Sequence, residues 1–185
     1  MISRDEAYDL LCEHVKADNL RKHCLASEAI LRALARRLGE DEELWGIVGL
    51  VHDLDYEQTK DAPAEHTKIT CQLLAEKGFP DDVLQAIREH NAEELGIPRE
   101  SRLGIALACG ETITGLIVAT ALVYPDKKLA SVKPKSVRKR MKKKDFARAV
   151  SREIIGECER IGIALDEFIP LCLEAMQGVS ADLGL

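Results

Sequence analysis

His52 and Asp53 stand side by side at the end of an apolar run, Trp45 to Val51, whose composition is that of a buried helix. Two polar groups at a buried helix end need partners, because an unpaired imidazole or carboxylate there costs several kcal/mol, roughly 2–7 for a neutral polar group. His23 precedes the pair; His66 and His90 follow it, each within or beside a segment with helical periodicity. Imidazole nitrogens mixed with carboxylate oxygens suit Mn, Fe, Co, Ni or Zn, whereas calcium prefers oxygen alone. No two of these histidines have the H-E-x-x-H spacing of a single helix face, so a centre must be assembled from several helices.

The elements that would carry them read as an all-α domain. Aromatic residues are 4% of the chain, alternating β-branched runs are scarce, and apolar residues recur at spacings of three and four. Ser3 and Glu6 form a possible capping box for a first helix running to about Val15, with His14 as an ordinary helix-terminal residue. A second helix is expected from about Asn19 to Leu38, stopped by Gly39, and a third from Asp41 to the His52-Asp53 pair. His66 is expected to open a helix ending at Gly78. Pro80-Asp81 restarts the chain toward His90, and a long apolar helix spans Leu103 to about Val123. Asp145 to Ile161 and Leu165 to Gln177 read as two packing helices.

A length of 185 residues with 46% apolar content suffices for one domain with a real core. Mean hydropathy is -0.13. No secretory leader pattern and no apolar stretch approaching about 20 residues is read, so a cytoplasmic protein without a membrane span is expected. The six cysteines lack any C-x-x-C pairing and read as small core hydrophobes, Cys24 and Cys109 included.

Several phrases resemble the HD superfamily of metal-dependent phosphohydrolases: Lys22-His23, Gly49-Leu50-Val51-His52-Asp53-Leu54-Asp55, and His66-Thr67-Lys68-Ile69-Thr70-Cys71-Gln72-Leu73-Leu74. Gly78-Phe79-Pro80-Asp81-Asp82-Val83 leading to Ile87-Arg88-Glu89-His90 is similar to the HDIG-like subset with two further histidines. The resemblance covers about residues 19–123 and implies an HD-type helical bundle, followed by a basic loop (124–144) and additional C-terminal helices (145–185), all in a single domain. It implies His23, His52 and Asp53 as metal ligands, with His66 and His90 serving a second ion or the substrate phosphate. Glu111, in Glu111-Thr112-Ile113-Thr114-Gly115, stands where the pattern has an aspartate. Leu54-Asp55 replaces Ile-Gly, and Asp55 reads either as binding a metal-bound water or as a surface cap in the loop that follows, the cap being preferred. Thr114 either contacts substrate or bonds back within its helix.

The implied cofactor is one or two divalent ions, Mn, Fe, Co, Ni, Zn or Mg. Asp53, His66 and His90 are the catalytic candidates, Asp53 as a possible bridge and the histidines as donors to phosphate or the leaving oxygen. The implied activity is hydrolysis of a small phosphate ester or anhydride, a nucleotide or related metabolite; the alternative is an HD-fold nucleotide-binding or signalling module whose catalysis is impaired by Glu111.

Charge is segregated. Lys127 to Lys144 holds ten Lys or Arg and no acid, leaving about -16 on the rest of a chain whose net charge is -6. Two readings fit: a solvated connection, or a substrate-attracting flap in which Lys133, Lys135, Arg138, Lys139 and Arg140 face the centre. The stretch lacks aromatic residues for stacking, so nucleic acid is the less favoured partner compared with a small anionic substrate. Oligomeric state is not encoded in any pattern read here.

Overall fold

The computed structural model describes residues 2–185, and the described residues are helical with no strand. Helix α1 (Arg4–His14) opens on the full Ser3–Glu6 capping box and buries Ala7, Leu10 and Leu11. His14 ends it, as expected. Helix α2 (Asp18–Leu38) carries His23 in its second turn and stops at Gly39, whose φ of 73° is the left-handed conformation that a Cβ disfavours. Helix α3 (Glu42–Val51), capped by Asp41, buries every residue from Trp45 to Val51 and delivers His52 at its end. It lies backbone-close to α2: a Cβ on Gly49 would sit 2.8 Å from the Ser27 carbonyl oxygen. That approach brings the end of α3 against the start of α2.

The connection after Asp53 contains the short helix α4 (Tyr56–Thr59) and a single 3-10 turn over Pro63–Glu65. Helix α5 (Lys68–Glu76) begins later than the periodicity suggests. His66 does not open it, because Thr67 takes a left-handed φ of 81° and breaks the chain between them. Helix α6 (Asp81–His90) ends on its histidine, and α7 (Ala92–Leu95) follows.

Helix α8 (Arg102–Leu122) is the core. It is apolar nearly all round, and its neighbours include α2, α6 and the C-terminal elements. At 21 residues it is long and apolar enough to cross a membrane by length and composition, contrary to the sequence expectation, and 67% of that window is buried inside the fold.

The basic segment is not the expected open loop. Leu129 and Val132 are buried, and Pro134–Met141 forms helix α9, started by a proline that needs no intrahelical partner for its missing N–H. Val137 seats α9 in the core between α8 and α11 (Leu165–Gly178). The single helix expected over Asp145 to Ile161 is also replaced, by a turn with Ala147 at φ 47°, a short α10 (Arg152–Gly156) capped by Ser151, and a 3-10 turn. The Arg152 guanidinium donates to the carbonyls of Lys143, Phe146, Ala147 and Val150, which fixes that turn in a non-helical form. Helix α12 (Ser180–Leu183) closes the fold against α2.

Candidate metal centre

Five polar side chains from five separate parts of the chain meet around Asp53. His23 comes from α2, His52 from the cap of α3, His66 from the connection before α5, and His90 from the last residue of α6. Asp53 Oδ1 lies 3.2 Å from His66 Nε2, 3.5 Å from His52 Nε2 and 3.6 Å from His90 Nε2. Its Oδ2 lies 3.7 Å from His23 Nε2, and Glu111 Oε2 on α8 is 3.7 Å from the same nitrogen.

The outward-facing ring nitrogens explain why the inner ones are free. His52 Nδ1 donates to the Gly49 carbonyl at 2.9 Å and His90 Nδ1 to the Ile87 carbonyl. Thr114 gives its own proton to the Glu111 carbonyl at 2.6 Å and so accepts from His23 Nδ1 at 3.0 Å. His66 Nδ1 donates to Asp55 Oδ1 at 2.7 Å. Each imidazole is thereby committed to a proton on Nδ1 and presents Nε2 to the common space, the arrangement by which outer partners orient metal-binding histidines. His52 Nε2 is buried and has no hydrogen-bond partner at all. Leaving it so is costly without a cation to receive its lone pair. Two triads, His23–His52–Glu111 and His52–Asp53–His90, have ligand atoms all within 4.8 Å of one another. The residues fit a divalent ion.

The sequence profile of the HD domain matches residues 20–120, more than half of the chain. This chain belongs to the HD domain family. Among characterised proteins it is similar to ribonuclease Y of Aquifex aeolicus (strain VF5), 33% identical over 78 residues, which are 42% of this chain and 14% of that protein. It is also similar to ribonuclease Y of Desulfotalea psychrophila (strain LSv54 / DSM 12343), 27% identical over 97 residues, or 52% and 18% of the two chains. The matched part of this chain thus spans less than a fifth of those relatives. No solved structure matches it.

Electrostatics of the HD centre follow from burial. Burial pushes His52 down to about 3, its carboxylate neighbour Asp53 only partly offsetting this, and it lowers His23 as well. Burial also opposes charge on Asp53 and on His66, but in both the mutual contacts win. Asp53 is held well below the usual carboxylate range by the surrounding histidines, and His66 rises to about 9 through its hydrogen bonds to Asp53 and Asp55. The His66 Nε2 proton then faces Asp53 Oδ1 at 3.2 Å and His90 Nε2 at 3.0 Å. Glu111 is half-buried, and desolvation together with the nearby Asp53 carboxylate pushes it up to about 8 even though the Thr112 hydroxyl donates to it at 2.5 Å.

Asp55 corrects the preferred sequence reading. It is no surface cap: fully buried, it accepts from His66 Nδ1 and from the backbone N–H groups of Thr67 and Thr70, each of these two at 3.1 Å. Its two-residue distance from Asp53 was the available signal. Thr114 orients His23, and its helix-bonded hydroxyl matches one of the two readings. Arg99 was not singled out from sequence, yet its buried guanidinium donates to the carbonyls of Glu89 (2.8 Å) and His90 (3.2 Å) and pairs with Glu93 and Glu157. It therefore caps the end of α6 on which His90 sits. Cys24 and Cys109 are buried thiols pushed up by desolvation, as packing residues should be.

A cleft of about 510 Å³ opens on the centre, bounded by Asp53, Glu111 and Thr112 on one side and by Ala149 to Ser151 on the other, with Tyr56 at its mouth. None of Lys133, Lys135, Arg138, Lys139 and Arg140 lines it. Arg138 instead pairs with Asp166 at 3.0 Å, and Arg140 lies 5.1 Å over the Phe146 ring.

Proposed function

We infer that this HD protein is a metal-dependent phosphohydrolase acting on a small phosphate ester or anhydride, of the nucleotide or related metabolite class, with one or two divalent ions held by His23, His52, Asp53, His66, His90 and Glu111. The observation that carries the reading is the inward convergence of four Nε2 atoms on Asp53, each ring locked by a donor bond at Nδ1. A divalent ion supplies an activated water and neutralises charge on phosphoryl oxygens. The chain's own contribution is to hold that charge in a dry, fixed frame. His52 is common to both ligand triads, and Asp53, within 3.7 Å of all four Nε2 atoms, serves as the shared carboxylate. His66, backed by Asp55, and His90 are the groups able to hold a proton beside the leaving oxygen. Tyr56 lines the cleft and its hydroxyl can offer a neutral hydrogen bond to a phosphate, whereas the hydroxyls of Thr112 and Ser151 already donate to Glu111 and Glu153.

A second reading, an HD-fold nucleotide-binding or signalling module with impaired catalysis, is favoured by Glu111, which at about 8 carries a proton at neutral pH before any ion enters. The relatives are ribonucleases by name, so a phosphodiester belongs in the assay. Metal content after purification, and phosphate release from monoesters, nucleotides and an oligoribonucleotide with Mn²⁺, Co²⁺ or Ni²⁺, separate the readings. Bound metal with turnover, both lost in Asp53→Ala, is expected. Bound metal with no turnover on any of these supports the binding module instead.

A further inference from the structure

A second cavity, about 300 Å³, adjoins the cleft and shares Asn19, His23, Thr114 and Gly115 with it. His23 is therefore a partition between two connected spaces, with its ring nitrogens accounted for by Thr114 on one edge and Asp53 on the other. Beyond that partition the walls are Ala26, Val118, Leu183 and Leu185, contributed by α2, α8 and the α12 region. Its one lysine, Lys22, is already paired with Asp18 at 2.8 Å. Neither cavity is lined by an arginine, and the cleft has no lysine either.

These linings discriminate between substrate classes. The additional phosphates of a di- or triphosphate need cations or many N–H donors, and beyond the centre itself the cleft is lined by no lysine or arginine and by a single side-chain amide, that of Asn19. The basic residues nearest in the chain, Lys144 and Arg148, do not line the cleft but a further depression that shares Ala149, Val150 and Ser151 with it, where Arg152 spends its guanidinium on backbone carbonyls. A nucleobase seated among Ala26, Val118 and the two leucines would leave its polar edge largely unpaired, a penalty that an alkyl or aryl group avoids. The size is at the lower end of ligand pockets and suits a compact apolar body.

We propose that the apolar cavity behind His23 is a specificity pocket, and that the substrate is a phosphomonoester of an apolar alcohol whose alkyl or aryl part occupies it. This rests on the hydrolase reading for the placement of the phosphate and sets an apolar alcohol in place of that reading's nucleotide class, but the pocket itself can be tested by binding alone. The probes are n-alkylphosphonates from methyl to hexyl, which hold no ester bond to cleave, titrated calorimetrically into the full chain loaded with Mn²⁺ and into the metal-free chain. Affinity is expected to rise about fourfold per added methylene, the value for burying one CH₂, until the cavity is full. The slope persists without metal while overall affinity drops. Val118→Phe, which fills the cavity, should flatten the slope, with circular dichroism and metal content reporting that the fold and the centre survive; Val118→Leu, a milder filling, should shorten the chain length at which the gain stops.

A flat dependence on chain length in the parent protein overturns the proposal, as does an unchanged slope in a folded Val118→Phe. Displacement of hexylphosphonate by inorganic triphosphate at low concentration, weakening steeply with salt, also overturns it and assigns substrate binding to the Lys144 and Arg148 side. The two readings fail separately: chain-length-dependent binding without phosphate release from hexyl phosphate or from any of the monoesters, nucleotides and oligoribonucleotide removes the hydrolase and keeps the pocket, whereas phosphate release with flat phosphonate binding does the reverse.

Discussion

At the scale of single residues, the HD centre is a set of four imidazoles whose tautomers are decided by what lies behind them. Asp55 has the strongest such role, because it is charged, fully buried and bonded to His66 and two backbone N–H groups. Asp55→Asn keeps the size but replaces an acceptor pair with one acceptor and one donor, so His66 loses its anchor. Metal affinity is expected to fall about 10- to 100-fold, as for other outer partners of metal-bound histidines, with helicity retained; undiminished affinity in a titration would return Asp55 to a packing role. Proton competition makes a second expectation. In the metal-free state Glu111 and His66 titrate near 8 and 9, so both carry protons at pH 7 that a bound ion must displace. Raised groups compete below their own pKa and stop competing above it, whereas His52, pushed to about 3, does not compete in this range. Affinity for Mn²⁺ should therefore climb from pH 6 toward pH 9, by about tenfold per pH unit for each proton released. A titration series at pH 6, 7 and 8 with constant affinity would contradict it.

At the scale of elements, two contacts hold the ligand-bearing helices in register. The first is the α2–α3 crossing at Gly49, where a larger residue meets backbone rather than a pliable side chain. Gly49→Val should cost about 1–3 kcal/mol or more and weaken metal binding as well, since it displaces His52 from His23; denaturant midpoint and metal titration on the same sample read both. The second is Arg99, which joins the end of α6 to Glu157 in the C-terminal segment. Arg99→Gln removes a buried charge from two carbonyls and two carboxylates, and about 2–3 kcal/mol of stability should go with it. His90 is the nearest ligand, so metal affinity is expected to fall more in Arg99→Gln than in Arg102→Gln, whose partner Glu40 sits on the surface. Equal affinities in the two variants would separate Arg99 from the centre.

At the scale of the whole molecule, charge segregation survives folding but its direction changes. The basic run becomes helix α9 and the turn behind it, seated on α8 and α11 by Val137. Replacing Arg138, Lys139 and Arg140 by Gln is accordingly expected to alter kcat/KM by less than about twofold at 0.15 M salt, where the Debye length is about 8 Å and only a weak long-range field reaches the cleft. A salt-sensitive rise in KM of tenfold would mean that α9 does reach the substrate. Loss of stability is expected to be small too, because these side chains are exposed or partly exposed and surface pairs such as Arg138–Asp166 contribute about 0–1 kcal/mol.

What the sequence determined by itself were the features that depend on local order. Periodicity and caps marked the helices from Ser3 to Gly39 and from Asp41 to His52, since capping and apolar spacing act within a few residues. The order of His23, His52, Asp53, His66 and His90 was legible as a candidate ligand series for the same reason, residue type being a local property, while Glu111 entered only through the family resemblance. Tertiary structure decided the rest. Asp55 read as a surface cap because nothing in its neighbours announces that Thr67 and Thr70 will fold back to donate to it. The charge run from Lys127 to Lys144 read as a flap or a solvated loop because its buried anchors, Leu129, Val132 and Val137, are outweighed in composition by the lysines and arginines around them. The cavity behind His23 left no local trace, since its walls are brought together from α2, α8 and the α12 region, more than 150 positions apart along the chain. Burial is a property of contacts between distant segments, and only the packed fold decides which side chains of a helical pattern end up facing the metal, the substrate or the solvent.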